Sequence, residues 1–331
     1  IFAPTIRYSS VRLLLSLANH YDLDAYGSDI SNAFARAAVT EDLYVEQPKG
    51  YQKLDENKIP YVCKLKQALY GTKQAARLWH LKFRAHLLKN GWKPYESDPC
   101  IFSRHSKEHG HEFIGIYVDD VIHICNTKSA HNSLLKKCNF EFPTTSQGLL
   151  HWILGIHVTR DKTKKTLCLH QTQAIISYLD EHGLTDISPR DTPMVANWKY
   201  GDEPAYTDPE LLTLYRSQIG SLNFFSQATR PDLSYSVSVL CRYLHIPNAS
   251  CFRALKHLNA YLAHTPQLGL VYTSSNTEEL TMEHITTDIA PDKESSVKLN
   301  AFCDANWGGE TNVSAKSTSG NLIYFGSDLI S

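Results

Sequence analysis

Two short apolar runs separated by a pair of acids form the sharpest pattern in the chain. The runs Phe113–Ile116 and Val121–Cys125 have the length and the β-branched content of strands. The segment Tyr117–Asp120, which reads Tyr-Val-Asp-Asp, lies between them. The pattern therefore predicts a hairpin with two carboxylates at its tip. Asp is also a common turn residue, so a solvated Asp-Asp turn in an ordinary hairpin is the alternative interpretation.

The rest of the chain alternates between helical and strand periodicity. Apolar residues at helical spacing predict helices over 9–20, 73–90, 127–138, 171–182, 208–228, 231–245 and 250–263. Shorter apolar runs predict strands over 25–30, 43–45, 61–65, 152–158, 166–170 and 299–304. Residues 274–298 are polar and contain few large apolar groups, which indicates a linker or a surface insertion.

Composition excludes several classes of protein. The 331 residues are 42% hydrophobic and 20% charged, as in an ordinary globular protein with a sizeable core. The net charge of −1 means that any nucleic-acid binding depends on local patches. The eight cysteines include no C-x-x-C pair, which argues against zinc or a disulfide framework and favours a reducing compartment. No apolar run approaches the length of a membrane span.

Acids at strand ends are the first candidates for chemistry. Asp29 ends the predicted strand over 25–30, much as Asp119 and Asp120 follow an apolar strand. If the two strands are neighbours, three carboxylates meet, and oxygen ligands of this kind suit Mg²⁺. Such a set can hold two divalent ions about 3.5–4 Å apart, which clamp the oxygens of a phosphoryl transfer. Taken alone, Asp29 is more often a turn or capping aspartate.

A basic segment is the second candidate. Between Tyr61 and Lys93 the chain has eight Lys and Arg residues and no Asp or Glu, with aromatic residues interleaved. Such a run suits the phosphate backbone of a nucleic acid. A solvated helix face is the alternative. The absence of compensating Glu residues on the predicted helix favours the functional interpretation.

A series of short segments carries a resemblance that covers nearly the whole chain. They are Phe2-Ala3-Pro4, 7–12, 29–34, 44–51, 62–65, 69–71, 73–79, 117–120, 154–156, 219–222, 229–232, 304–309 and 317–320. Taken in this order, they resemble the reverse transcriptase of copia-type LTR retrotransposons. Any single segment is a weak signal, whereas the ordered set is very specific.

The resemblance implies an α+β fold and a division of the chain. It implies a right-hand polymerase palm with partial fingers over 1–195 and a helical thumb or connection region over 196–273. The polar linker or insertion over 274–298 then leads to the first part of a ribonuclease H-like α/β domain over 299–331. The implied activity is RNA-directed DNA polymerisation, in which a primer 3′-hydroxyl attacks the α-phosphate of a dNTP and releases pyrophosphate.

The same resemblance implies partners and a location. The partners are an RNA or DNA template, a DNA primer, dNTPs and the remainder of the Pol polyprotein. The implied location is intracellular, in a cytoplasmic particle, the nucleus or both, and no membrane association is expected.

The resemblance also assigns roles to single residues. Asp29 and Asp119 are the expected main ligands of two Mg²⁺ ions, with Asp120 in support and Mn²⁺ as an alternative metal. Phe34 is expected under the sugar of the incoming nucleotide, where its bulk excludes a 2′-hydroxyl, although plain core packing would also explain it. The other assigned residues are Gln67, Gly71, Lys73 and Arg77 for nucleotide and template, Trp152, Leu154 and Gly155 for the primer, and Asp304 as a ribonuclease H remnant.

Three departures from the family pattern change these expectations. The basic segment that precedes Phe-Ala-Pro in the family is not in the sequence, so we expect this chain alone to hold a triphosphate less firmly. Residues 34–39 replace the usual Phe-Leu-x-Gly, which alters the loop but keeps the aromatic ring. Of the carboxylates that ribonuclease H needs, only Asp304 is matched, so no ribonuclease H activity is predicted. The alternative function is a catalytically inactive retroelement remnant that at most binds nucleic acid.

Overall fold

A computed structural model describes residues 2–274, 298–305 and 317–331. The described chain forms two compact units, the first built mainly from residues up to Leu150 and the second mainly from His151 onward. The predicted mixture of helices and strands is confirmed. Most of the predicted linker (residues 275–297) and residues 306–309 of the Asp304 segment lie outside the described residues.

The helices follow the predicted apolar periodicity to within a few residues. In chain order they are α1 (Tyr8–His20), α2 (Ala75–Lys89), α3 (Lys128–Asn139), α4 (Thr172–Glu181), α5 (Pro209–Ala228), α6 (Ser234–Cys241) and α7 (Ala249–His264). Side-chain caps at Thr127, Asp208 and Asn248 accept backbone N–H groups and fix the starts of α3, α5 and α7. The predicted helix over 231–245 is shorter, because a 3-10 turn over Pro231–Leu233 precedes α6. No described helix combines the length and the apolar character that crossing a membrane requires.

The strands include several that the sequence pattern missed. In chain order they are β1 (Asp24–Ile30), β2 (Tyr44–Glu46), β3 (Val62–Lys64), β4 (Lys93–Pro94), β5 (Ile101–Ser106), β6 (Gly110–Tyr117), β7 (Asp120–Cys125), β8 (Thr144–Leu149), β9 (Trp152–Ile153), β10 (Ile156–Asp161), β11 (Thr166–His170), β12 (Gly269–Thr273), β13 (Leu299–Ala305), β14 (Ser319–Phe325) and β15 (Asp328–Leu329). Strands β4, β5, β8, β12 and β15 were not predicted. β8 is the clearest case, since it is mostly polar and exposed and forms by pairing with β1.

The first unit is organised around a six-stranded antiparallel sheet in the order β4-β5-β6-β7-β1-β8. Helix α1 packs against β6, where a side chain at Gly115 would lie 2.8 Å from Ile6 Cδ1 and 3.0 Å from Leu14 Cδ1. Strands β2 and β3 form a separate two-stranded hairpin. The sheet order places β1 between β7 and β8, so the strand that carries Asp29 near its end is an interior strand of the sheet.

The second unit combines a helical core with two small sheets. Helices α4 to α7 share a core that includes Tyr215, Leu222 and Leu258, each fully buried. One sheet has the order β12-β11-β10-β9 and the other the order β13-β14-β15. The Tyr272 hydroxyl on β12 donates to the Leu329 carbonyl on β15 at 2.9 Å, which ties the two sheets together.

Candidate catalytic centre

The two strands that carry the predicted acids are neighbours. β1 pairs with β7 in antiparallel register, and Asp29 lies directly opposite Asp120. β6 and β7 form the predicted hairpin, with Tyr117 opposite Asp120 and Val118 and Asp119 as its two-residue turn. The Ile30 N–H also donates to the Asp119 carbonyl at 3.0 Å. The backbone therefore brings all three acids to one end of the central strands, as the sequence predicted.

The hairpin turn has a strained backbone. Val118 has φ of 56°, in the left-handed region that β-branched residues rarely occupy. A residue held in this way costs about 1–3 kcal/mol and persists only where its surroundings fix it. The Trp79 indole N–H donates to the Val118 carbonyl at 2.6 Å, and Trp79 is only 1% exposed. The turn beside Asp119 is thus held from the side of helix α2.

The carboxylates share one electrostatic environment. Burial raises the pKa of Asp120, and the charges of Asp119 and Asp29 raise it further. All three residues remain partly exposed, so solvent and ligands can reach them. Nearby like charges favour a cation at this position, because it would remove their repulsion.

The donor chemistry fits Mg²⁺, although the side chains do not form a ready-made cage. Within the described residues, no group of three or more His, Cys, Asp or Glu side chains is arranged to hold a metal ion. Mg²⁺ seldom uses such cages and usually binds through one or two carboxylates together with substrate phosphates and water. Paired strand-end carboxylates satisfy that requirement. The ion would complete its coordination with groups of the substrate.

The predicted nucleotide-side residues also lie together. Phe34 begins a 3-10 turn over Phe34–Arg36, and its ring lies 4.4 Å from that of Tyr70 at an angle of 41°. Gln67 forms an isolated β-bridge with Ala38, next to that turn. Phe34 is half-buried and its aromatic neighbour is exposed, so core packing alone does not account for it.

Tyr70 lies near the acids, although no role was predicted for it from the sequence. Partial burial raises the pKa of its phenol, and the charges of Asp119 and then Asp29 contribute in the same direction. The hydroxyl is therefore close enough to the acids to feel their charge. The sequence offered one signal for it, its place directly before Gly71 in a segment that resembles the family.

Some cations of the basic segment make contacts within the fold, and others are exposed to solvent. The Lys82 ammonium donates to the Arg36 carbonyl at 2.6 Å and lies 5.5 Å from the centre of the Phe142 ring. Lys64 pairs with Asp42. Lys73 and Arg77 are exposed, and the described part of the chain offers neither an ion-pair partner. Part of the predicted patch thus supports the fold, and the two predicted binding cations remain available.

The predicted primer-side residues and Asp304 belong to the second unit. Leu154 and Gly155 form the two-residue turn between β9 and β10, with φ values of 50° and 77°. Trp152 is 46% exposed and meets the His157 ring edge-on at 4.4 Å. Asp304 lies on β13 and is exposed. These residues therefore belong to a different compact unit from Asp29, Asp119 and Asp120.

Comparison with known families identifies the chain. A family model described as reverse transcriptase (RNA-dependent DNA polymerase) matches residues 1–196. The chain belongs to the reverse transcriptase family. Reverse transcriptases generally use divalent metal ions, which agrees with the carboxylates at the ends of β1 and β7.

Curated relatives place the chain among retrotransposon Pol polyproteins and confirm the predicted copia-type resemblance. It is 32% identical over its whole length to the Retrovirus-related Pol polyprotein from transposon RE1 of Arabidopsis thaliana. Identity is 29% over the whole chain to the corresponding polyprotein from transposon TNT 1-94 of Nicotiana tabacum. Over 98% of the chain, identity is 21% to the transposon Ty1-MR1 Gag-Pol polyprotein of Saccharomyces cerevisiae. The chain spans 21%, 24% and 18% of these three relatives.

Proposed function

We propose that this chain is the RNA-directed DNA polymerase part of a copia-type retrotransposon Pol polyprotein. The observation that carries the proposal is the register of β1 and β7, which sets Asp29 opposite Asp120 beside the Asp119 turn. Strand packing by itself does not call for three acids at one end of an interior strand pair. Family membership supplies the reaction class.

Each acid has a role in this proposal. Asp29 and Asp119 are the main ligands of two Mg²⁺ ions, with Mn²⁺ as an alternative, and Asp120 supports them. When bound, such ions neutralise phosphate charge and stabilise the attacking and leaving oxygens of an in-line displacement. The chain's own contribution is to hold these carboxylates at fixed strand ends, so that little reorganisation is needed during the reaction.

The neighbouring residues select and orient the substrates. Phe34 lies under the sugar of the incoming dNTP and disfavours a 2′-hydroxyl. Gln67, Gly71, Lys73 and Arg77 contact the nucleotide and the RNA or DNA template, and the two exposed cations supply positive charge for phosphate. Trp152, Leu154 and Gly155 hold the DNA primer.

We assign the six-stranded sheet to a polymerase palm, and the β2–β3 hairpin with residues 66–73 to partial fingers, all within 1–195. The helices over 196–273 correspond to a thumb or connection region. Residues 299–331, including Asp304, correspond to the beginning of a ribonuclease H-like domain, and the rest of the Pol polyprotein is the expected covalent partner. An intracellular location, in a particle or the nucleus, remains a prediction.

Primer extension tests the proposal. The full chain is given an RNA template, a DNA primer, dNTPs and Mg²⁺, and is compared with Asp119→Asn and Glu96→Gln. The second variant also converts an exposed acid to its amide, in the same unit but without a role in the site. We expect Asp119→Asn to lower the rate by about 100-fold or more, because metal-ligand carboxylates stabilise developing charge. Glu96→Gln should match the wild type.

Two results would contradict the proposal in different ways. Equal extension by the wild type and Asp119→Asn would reject Asp119 as a metal ligand. No extension by any folded form, together with salt-sensitive binding of RNA or DNA, would favour the inactive remnant instead.

A further inference from the structure

Four contacts close a ring around the acids in the first unit. The Trp79 indole N–H binds the Val118 carbonyl at 2.6 Å, and the Asp119 carbonyl accepts the Ile30 N–H at 3.0 Å. The Ser31 N–H then donates to the Pro143 carbonyl at 2.9 Å. Phe142, the residue before Pro143, meets the Trp79 ring edge-on at 5.2 Å. The β6–β7 turn is therefore bonded directly to Trp79, and the end of β1 is linked to Trp79 through two residues, either Asp119 and Val118 or Pro143 and Phe142.

Trp79 is placed to act as an anchor. It lies on the buried side of α2, stacked on Phe83 at 5.3 Å with an angle of 11° between the rings. The same helix carries Arg77 on its exposed side. A rigid aromatic cluster thus backs the hydrogen bond to the turn, on a helix that also presents a predicted substrate-binding cation.

The strained turn explains why an anchor is needed. Val118 has φ of 56°, a conformation that its branched side chain opposes. A residue in such a conformation persists only where surrounding contacts hold it, and Asp119 follows it directly in the turn. The indole–carbonyl bond is the one side-chain hydrogen bond to the Val118–Asp119 backbone in the described structure.

We propose that Trp79 is a positioning residue for the Asp119 carboxylate, and that it acts by holding Val118 in its left-handed conformation. This inference rests on the proposed polymerase function for its consequence, although not for its geometry. The plain alternative is that Trp79 only fills the core between α2 and the sheet. If Trp79 is a positioning residue, removing its N–H group while keeping an aromatic ring should disturb the turn. If it only fills the core, that change should leave the turn undisturbed.

A pair of Trp→Phe substitutions separates these interpretations. Trp79→Phe keeps an aromatic ring and removes the N–H donor. Trp92→Phe is the matched control, since Trp92 is also 1% exposed in the same unit and its Nε1 has no hydrogen-bond partner among the described residues. Both variants lose similar packing volume. Only the first loses a contact to the acid-bearing turn.

Hydrogen exchange followed by mass spectrometry gives a readout that does not depend on activity. In Trp79→Phe, peptides containing the Ile30 amide and the turn residues 118–121 should exchange roughly two- to tenfold faster, as expected for one lost hydrogen bond. Trp92→Phe should leave exchange in these peptides unchanged. Thermal unfolding of both variants reports their general loss of stability.

Primer extension as a function of Mg²⁺ concentration gives the functional readout. Trp79→Phe should lower the maximal rate or raise the Mg²⁺ requirement by roughly 10- to 100-fold, the range typical of residues that orient a metal ligand. The KM for dNTP should change less. In a Val118→Gly background, where the left-handed conformation is no longer strained, Trp79→Phe should have a smaller effect. This background also provides the comparison if the single variant does not fold.

The outcomes distinguish this inference from the proposed function. Equal exchange and equal Mg²⁺ dependence in the two Trp→Phe variants would overturn the positioning role, even if the wild type is an active polymerase. Faster exchange confined to Trp79→Phe would support it. If the wild type then fails to extend a primer, the anchor stands and the proposed function fails.

Discussion

Gly155 occupies a position where a side chain meets two obstacles. Its φ is 77°, and a Cβ atom there would lie 2.9 Å from Cζ of Phe224 on α5. Gly220, on the same helix, has an ordinary φ and no atom within 4 Å of its Cβ position. The two glycines therefore differ in what they do for the fold, although both fall in segments that match the family.

Matched Ala substitutions should move stability in opposite directions. Gly155→Ala should destabilise the second unit by about 1–2 kcal/mol, because an L-residue is forced into the left-handed region. Gly220→Ala should stabilise it by about 0.5–1 kcal/mol, because Ala loses less entropy in a helix. Urea unfolding of the full chain measures both changes. Loss of stability in both variants to the same extent would mean that Gly155 is not conformationally required.

At the scale of elements, a buried polar relay joins five parts of the first unit. The Ser146 hydroxyl on β8 lies 3.0 Å from His131 Nε2 on α3, and the Nδ1 atoms of His131 and His123 are 3.3 Å apart. On β7, His123 Nε2 lies 3.2 Å from the Glu112 carboxylate of β6, which also accepts hydrogen bonds from Nε and Nη2 of Arg104 on β5. Two neutral imidazoles satisfy every contact if His131 Nδ1–H donates to His123 Nδ1 and His123 Nε2–H donates to Glu112. His131 Nε2 then accepts from the Ser146 hydroxyl.

The charges in this relay are set by burial. Burial opposes ionisation of Glu112, but hydrogen bonds from His123 and Arg104 and the Arg104 charge outweigh it, so the Glu112 pKa is lowered. Burial lowers the pKa of His131 to about 4, and the neighbouring His123 contributes in the same direction. His131 is therefore neutral in the folded chain near pH 7.

Stability of the first unit should fall as the pH is lowered through this range. An unfolded histidine binds its proton near pH 6.5, whereas folded His131 resists protonation until about pH 4. The unfolded state takes up more protons between these values, so up to about 3 kcal/mol of stability is lost as the pH falls from 6.5 to 4. Denaturant unfolding at several pH values measures the slope. His131→Gln should flatten it and the exposed control His105→Gln should not; unchanged slopes in both would contradict the account.

The segment 229–232, which resembles the family, contains a buried arginine that connects two helices. Arg230 is fully buried, and its Nε and Nη2 groups donate to the Asp232 carboxylate, with shortest distances of 3.0 and 2.7 Å. Its Nη1 donates to the Thr265 carbonyl at 2.7 Å, beyond the end of α7. One guanidinium thus joins the start of α6 to the end of α7.

Removing this guanidinium should be far more costly than removing an exposed one. Arg230→Ala should destabilise the second unit by about 2–4 kcal/mol, because it removes a fully buried guanidinium and leaves the Thr265 carbonyl without this donor, while the partly exposed Asp232 keeps its hydrogen bond from the Tyr261 hydroxyl. Arg253→Ala, which breaks an exposed pair with Glu203, should change stability little, because water screens such pairs. Guanidinium unfolding provides the comparison. Equal losses of unfolding free energy in the two variants would show that burial does not determine how much the Arg230 contacts stabilise the unit.

Across the whole molecule, the positions of helices and strands could be predicted from the sequence better than the pairing of the strands. The β6–β7 hairpin was predictable because its strands are continuous apolar runs on either side of two acids. β8 was not, because Thr144–Leu149 owes its strand conformation to pairing with β1. Neighbouring positions for Asp29 and Asp120 could be expected, whereas their register could not be derived from local pattern.

The long-range side-chain contacts at the site could not be predicted from the sequence either. The partners Trp79 and Val118 are 39 residues apart in the chain, and nothing in either segment indicates that one binds the other. Phe34 and Tyr70 meet because residues 37–39 pair with 66–68, a short irregular bridge without strand periodicity. The ordered family segments nevertheless include Asp29, Asp119 and Asp120, the acids that the sheet brings together.

The central claim is that the strand-end acids form a divalent-metal site for nucleotidyl transfer. Its most direct test is single-nucleotide incorporation under single-turnover conditions with Mg²⁺, comparing wild type, Asp29→Asn, Asp119→Asn, Asp120→Asn and the Glu96→Gln control. We expect losses of about 100-fold or more for Asp29→Asn and Asp119→Asn, a smaller loss for Asp120→Asn, and no change for Glu96→Gln. Incorporation by Asp29→Asn and Asp119→Asn at the rate of the wild type would contradict it.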